Sequence, residues 1–202
     1  MNRFRSLIWL VFLLGAGPAQ AHAPIPGLKG FYIGMLHPFS TPPQALLMIG
    51  LGLMVGSFGA ARAWPFLGAF LGVAIAGLFV GTAGVEFDWA LYGVAVTACA
   101  QVALLPGRLM PLALGLTAVG ALLIGFYSIP DEGAMRDRII TMTGSMVGAN
   151  VGLLYLFGAT HLIQQRYTWP WVGIAFRVAA AWLGAIALVM LALGFADIAA
   201  PV

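Results

Sequence analysis

The chain has 202 residues, of which 62% are hydrophobic and only 7% are charged. A soluble domain carries about 25% charged residues, so this composition excludes an ordinary water-soluble fold and indicates a protein whose solvent is mostly lipid. The formal net charge of +3 comes from few residues and forms no basic patch, so we expect no nucleic acid among its partners.

The first 21 residues have the organisation of a secretory signal peptide, with a basic start, an apolar stretch and a small-x-small cleavage site. An uncleaved transmembrane helix is the alternative, but the run is shorter than the ~20 residues that a span needs, and Pro18 interrupts it. We predict cleavage after Ala21, an extracytoplasmic segment over 22–43, and a mature N-terminus at His22 on the periplasmic side of a bacterial inner membrane. The parts of the signal are Arg3 and Arg5, residues 6–15, and Ala19-Gln20-Ala21.

Apolar runs separated by short polar breaks predict an all-α integral membrane protein, a bundle of six transmembrane helices over 44–197. With the N-terminus outside, six spans leave Arg62, Arg108 and Arg166 in inside loops, which agrees with the positive-inside rule. Membrane lipid is therefore the first expected partner. The predicted spans are 44–61, 65–81, 89–105, 109–127, 139–163 and 170–194.

The acidic residues are one-sided in this topology, because every Asp and Glu of the chain falls outside. They would form an anionic rim around His22 and His37 that raises the local concentration of cations. The alternative is that a small membrane protein simply has short solvated loops. The six acids are Glu86, Asp88, Asp131, Glu132, Asp137 and Asp197.

Glycines recur at helix-packing spacing in two spans. Gly68 and Gly72 form one small-xxx-small pair, and Gly144, Gly148 and Gly152 form a continuous stripe in the fifth span. Without side chains two helix backbones approach closely, so we interpret both sets as packing positions. Whether they pack within one chain, in a homo-oligomer or against another membrane subunit stays open.

Polar groups inside spans are costly and so carry information. One interpretation is a polar track for an ion, with His37 and Glu86 at the outer mouth, Asn150 midway and His161 near the exit. The other is that such groups hydrogen-bond between helices and hold the bundle together. We interpret Arg177, within the last span, as a residue whose long side chain extends its charged end to the inner membrane interface.

No enzyme motif is present in the sequence. There is no G-x-S-x-G elbow, no H-E-x-x-H pair, no C-x-x-C and no phosphate-binding glycine loop. We therefore do not expect an enzyme.

Several segments resemble the HupE/UreJ family of hydrogenase and urease accessory membrane proteins. They are GFYIGMLHPF with the following LLMIGLGLMVG, the loop GTAGVEFDWALYGVAV, GATHLI at the end of the fifth span, and RVAAAWLGAIALVMLALG in the last span. The resemblance implies a permease for nickel or cobalt. In that interpretation His37 is a first ligand, Glu86 compensates charge, and Asn150 and His161 line the path. Independently of the resemblance, His22 would after cleavage offer its free amine and its imidazole to one ion, a good chelate for Cu²⁺, although a histidine after the cleavage site is equally explained by chance.

The sequence departs from the family at its first-span motif, H-P-x-x-G-x-D-H. His37 and Pro38 match, but Pro43 and Gln44 stand where the aspartate and second histidine would be. A nickel or cobalt site needs several converging ligands, so the familiar site is incomplete. The first hypothesis is a permease for Ni²⁺ or Co²⁺ with a weaker site, and the alternative is a non-transporting accessory or assembly subunit of a metalloenzyme or other membrane complex.

Overall fold

The computed structural model of the chain describes residues 30–82, 87–130 and 133–199. These residues are all-helical, with seven α-helices and no strand. The proposed signal peptide, His22 and Glu86 lie outside the described residues. The helices are α1 (Phe31–Ser40), α2 (Pro42–Gly56), α3 (Ala63–Val80, preceded by a 3-10 turn at Ala60–Arg62), α4 (Asp88–Leu104), α5 (Met110–Tyr127), α6 (Met135–Arg166) and α7 (Pro170–Ala199).

Each predicted apolar run coincides with one helix from α2 to α7, and α1 is an additional helix inside the segment 22–43. The first run ends earlier than expected, at Gly56 rather than at 61. Ser57 terminates it, because its hydroxyl donates to the carbonyl of Met54 at 2.6 Å, and Gly59 then turns the chain with a φ of 76°.

Four helices are long and apolar enough to cross a membrane, namely α3 with its preceding turn, α5, α6 and α7. The pair α1 and α2 would make a fifth span if counted together, although the two helices are bent by 78° at Thr41. At 17 residues, α4 is shorter than a span of ~20 residues. The structure thus supports a multi-pass membrane protein with four or five candidate spans, where the sequence predicted six.

The outer surface of the bundle is apolar. Phe79 is 83% exposed, Tyr155 73% and Trp182 70%, and many smaller apolar side chains accompany them. A surface of this kind is covered by lipid tails rather than water.

The core sits around α2, where ten of 15 residues are buried. Leu47, Met48 and Leu51 are fully inaccessible, and they meet Phe70 of α3 and Ile124 of α5 in one apolar cluster. Helix α2 packs against α4 and α6, while α3 pairs with α5, α4 with α7, and α1 with α6. The segment that carries His37 therefore leads directly into the central helix.

The two ends of the bundle differ in charge. Gly107, with a φ of 67°, donates its N–H to the hydroxyl of Ser57 at 3.0 Å and so joins the α4–α5 turn to the end of α2. This end, which we call the arginine end, also holds the end of α6 and the start of α7. Its four basic residues are Arg62, Arg108, Arg166 and Arg177. At the opposite end the described charges balance, because Asp88 and Asp137 in the first turns of α4 and α6 are accompanied by Arg136 and Arg138.

Candidate functional site: a histidine at a helix break

His37 lies in the last turn of α1, one turn before the chain bends into α2. Its Nε2–H donates to the main-chain carbonyl of Tyr127, at the end of α5, over 3.1 Å. Because a carbonyl oxygen only accepts, this bond places the proton of the neutral ring on Nε2 and leaves the lone pair on Nδ1. Metal-binding histidines are commonly held in this way, by a bond from the other ring nitrogen to a carbonyl.

Gln44 stands beside His37 although seven positions and a sharp bend separate them. Its Nε2 lies 3.4 Å from Nε2 of His37, and its side chain is only 1% exposed. Its Oε1 is buried without a hydrogen-bond partner. Gln44, which stands where the family motif has its second histidine, thus lies next to His37, the first histidine of the motif. Its side chain offers an oxygen without a hydrogen-bond partner.

Thr41 supplies a second unpartnered oxygen at the break. Thr41-Pro42-Pro43-Gln44 has the spacing of a capping box, in which the two polar side chains would bond to the helix start. The side chain of Thr41 makes no capping bond, and its Oγ1 is buried without a partner. Pro42 and Pro43 have no N–H to offer it. The sequence analysis missed Thr41 and Gln44 as site residues, and the capping-box spacing with a glutamine after two prolines was the signal for them.

The glycine stripe of α6 holds α1 in place. A Cβ at Gly144 would overlap the backbone of Phe31, one at Gly148 would overlap Met35, and one at Gly152 would overlap the ring of Phe39. The backbone of helix α1 therefore lies directly against the backbone of α6, and this contact fixes the position of His37 along α6. By contrast, no atom of another described element lies within 4 Å of a Cβ placed at Gly68 or Gly72.

Two further contacts join the end of α5, where His37 binds, to the neighbouring helices. The buried hydroxyls of Ser128 and Ser145 are 2.7 Å apart and join the end of α5 to α6. The hydroxyl of Tyr127 donates to Oδ1 of Asp88 at 3.1 Å and accepts from the N–H of Phe87, so the start of α4 is held next to the same residue that binds His37. Glu86 immediately precedes Phe87 in the chain.

The other two described candidates of the polar track do not reach His37. Asn150 donates to the carbonyl of Met146 in its own helix at 2.9 Å, and it lies about 200° around α6 from Gly148, which faces α1. His161 stacks on Phe157 with ring centroids 5.7 Å apart, 11 residues and about 16 Å further along α6. Thr97 and Thr143 likewise donate to carbonyls of their own helices. In the described part of the chain, therefore, none of these four polar side chains makes a hydrogen bond to another helix.

Among residues 30–82, 87–130 and 133–199, no group of three or more His, Cys, Asp or Glu side chains converges. The break instead gathers one imidazole, one amide, one threonine hydroxyl and one main-chain carbonyl. Of these groups the imidazole is the one typical of sites for Ni²⁺ and similar transition metals, whereas neutral oxygens are more typical of sites for harder cations.

These features define the class of protein: an all-helical, multi-pass membrane protein with a broken helix and a histidine at the break. A family model described as "HupE / UreJ protein" matches residues 10–193, so the chain belongs to the HupE/UreJ family, which is associated with nickel and cobalt transport or with accessory roles. Comparison with curated proteins gave no match, and neither did comparison with solved structures.

Proposed function

We propose that the protein is a membrane permease for a divalent transition metal such as Ni²⁺ or Co²⁺, and that the α1–α2 break is its first binding site. The observation that carries the proposal is that His37, with a fixed tautomer, lies next to Gln44 at the α1–α2 break, and that this break also holds two buried oxygens without partners, from Thr41 and Gln44. Buried polar groups are normally satisfied, so unpartnered ones at the same place need a ligand or a water molecule to account for them.

The electrostatics of the break support a cation. His37 lies in the last turn of α1, which ends at Ser40, and it binds the carbonyl of Tyr127, where α5 ends; the carbonyl ends of two helices, which carry partial negative charge, therefore lie close to the imidazole. The start of α2 opposes this, but Pro42 and Pro43 remove two of its N–H donors. Secondary transporters use interrupted helices in the same way, with helix ends and unwound carbonyls around the ion.

We assign the remaining candidates to the route on either side of the break. Glu86, next to Phe87 in the chain, supplies the compensating charge, and His22 adds a chelate at the mature N-terminus. Asn150 and His161 then mark the way to the arginine end. In this topology the chain crosses the inner membrane six times after removal of residues 1–21, with His37 on the periplasmic side and the arginine end in the cytoplasm.

Metal titration of the purified protein and uptake of labelled nickel or cobalt in cells without other importers test binding and transport separately. We expect His37→Ala to lower metal affinity by at least about tenfold and to abolish uptake. His161→Ala is the matched control for binding, because it removes the other described imidazole at a distant position. Affinity and uptake in His37→Ala equal to those of the native chain would remove His37 from the mechanism.

The second candidate function is a non-transporting accessory subunit of a metalloenzyme or other membrane complex, and in neither case an enzyme. One observation favours it: the described part of the break has a single imidazole and no carboxylate in contact with it. Metal binding without uptake, together with co-purification of a partner complex, would select this function over the permease.

A further inference from the structure

Arg177 places a positive charge on α7 about 10 Å from the first residue of that helix, at 1.5 Å per residue. Its side chain is exposed, and its Nε–H donates to the carbonyl of Ala103 in the last turn of α4 at 2.7 Å. That bond uses one of the five N–H groups of the guanidinium and leaves the two terminal nitrogens with four donors. The bond to Ala103 holds the plane of the guanidinium in place, and the N–H groups on its two terminal nitrogens remain available to a ligand.

No carboxylate of the described residues is near this cation. Asp88 begins α4, about 22 Å along the helix from Ala103, and Asp137 begins α6, about 40 Å from the residues of α6 that lie near Arg177. Asp197 is 20 residues further along α7, about 30 Å away. A charge at the edge of the hydrocarbon region is costly unless an opposite charge or water meets it. No described carboxylate therefore neutralises Arg177, and its charge is left to water or to an anion from outside the described chain.

Two cavities lie side by side near the start of α7, and Arg177 lines one of them. One, of about 450 Å³, is lined by Arg177 together with Ser57, Gln164 and Thr168, and so has a polar side. The other, of about 570 Å³, is lined almost only by apolar side chains, including Ile163, Ala175 and Ala179. The two cavities are adjacent, because they share four lining residues, Tyr167, Trp169, Val172 and Phe176; we call the pair the groove, with a polar side at Arg177 and an apolar side beyond the shared residues.

We propose that this groove binds an anionic phospholipid, with the phosphate on the guanidinium of Arg177 and an acyl chain in the apolar cavity. A planar guanidinium binds phosphate oxygens through two parallel N–H bonds, which Arg177 has available beyond its bond to Ala103. Exposed Trp169 and Trp171 set the groove at the level where aromatic side chains meet lipid headgroups. Arg62, Arg108 and Arg166 make the whole arginine end attractive to an anionic leaflet, but only Arg177 lines the groove.

The test uses the full chain reconstituted in an equimolar mixture of phosphatidylglycerol and phosphatidylcholine, with bound lipid measured by native mass spectrometry. Both lipids offer a phosphate, but the quaternary ammonium of phosphatidylcholine offsets its charge and is repelled by the guanidinium, so we expect about tenfold preference for phosphatidylglycerol. Arg177→Gln should remove the preference. Arg166→Gln, which removes an exposed arginine from the same end but outside the groove, should keep it.

A second variant acts on the acyl chain and leaves the charge unchanged. Ala175→Phe fills the apolar cavity, so we expect it to reduce retained phosphatidylglycerol several-fold even though Arg177 is intact. Equal preference in Arg177→Gln and the native chain, or equal losses in Arg166→Gln and Arg177→Gln, would overturn the proposal. Full retention in Ala175→Phe would show that no acyl chain lies in the apolar cavity, and binding of inorganic phosphate at Arg177 with no retained lipid would show that the site takes a free phosphate; either result overturns the proposal.

Discussion

At the scale of single residues, the amide of Gln44 has an unusual position. It is fully enclosed in the core, yet its Oε1 has no partner, and its Nε2 faces the protonated nitrogen of His37. Turning the amide would bring Oε1 toward that N–H but would leave the amino group where Oε1 now lies. In either orientation one amide atom stays unsatisfied, and only in the present one is that atom an oxygen, the kind of atom that a cation binds.

Gln44→Leu, a change of similar volume, separates a binding role from a structural one. Removing a buried unsatisfied group should leave the metal-free protein equally stable or more stable, by up to about 1–3 kcal/mol. Metal affinity should fall by about 10–100-fold, because the group that supports the ligand histidine is lost. Unfolding by denaturing detergent and metal titration measure the two quantities. A stability loss with unchanged affinity would make Gln44 a core residue only.

Tyr127 connects His37 to α4 through two different groups, since its carbonyl accepts from His37 while its hydroxyl contacts Asp88 and Phe87. Tyr127→Phe removes only the hydroxyl, so we expect a loss of about 1 kcal/mol in unfolding free energy. The bond to His37 should persist. Tyr155→Phe, at a side chain that is 73% exposed on α6, is the control and should change nothing. Equal stability of Tyr127→Phe and the native chain would show that the hydroxyl does not hold α4.

At the scale of helices, the contact between α1 and α6 determines where the histidine lies. Gly148→Ala would push the backbone of Met35 away, so we expect a loss of about 1–3 kcal/mol and weaker metal binding. Gly68→Ala is the matched control, because its Cβ meets no other described element. Alanine favours a helix more than glycine does, so that variant should be neutral or up to about 1 kcal/mol more stable. A stability loss in Gly68→Ala would mean that Gly68 packs against a second chain.

The helices from α2 to α7 could be predicted from sequence because hydropathy is a local property that needs no partner. Helix α1 could not, since FYIGMLHPFS is short, contains Pro38 and is stabilised by its contact with Gly144 and Gly148 rather than by its own pattern. The glycine stripe of α6 could be recognised in the sequence as a packing surface, but the sequence did not show that α1 is the helix that packs against it. Gln44 was interpreted as a lost ligand, because no local rule brings a residue seven positions away back across a 78° bend.

At the scale of the whole molecule, charge and polarity are distributed unevenly between the two ends. Four arginines gather at one end, whereas His37, Asp88 and Asp137 lie toward the other. The opposite end holds two arginines, Arg136 and Arg138, so the bias is four to two, and the positive-inside rule then predicts that the arginine end faces the cytoplasm. The same orientation would turn the lipid groove at Arg177 toward the cytoplasmic leaflet, where a bacterial membrane offers anionic headgroups.

Cysteine labelling of intact and lysed cells tests that orientation directly. The native chain is the blank, because its single cysteine, Cys99, is 1% exposed. Met135→Cys, at the 70% exposed start of α6, should react with a membrane-impermeant maleimide from the periplasm. Thr168→Cys, in the exposed connection between α6 and α7, should react only after lysis. Reversed labelling would place His37 on the cytoplasmic side, and the histidine would then be the exit of a metal path rather than its entrance.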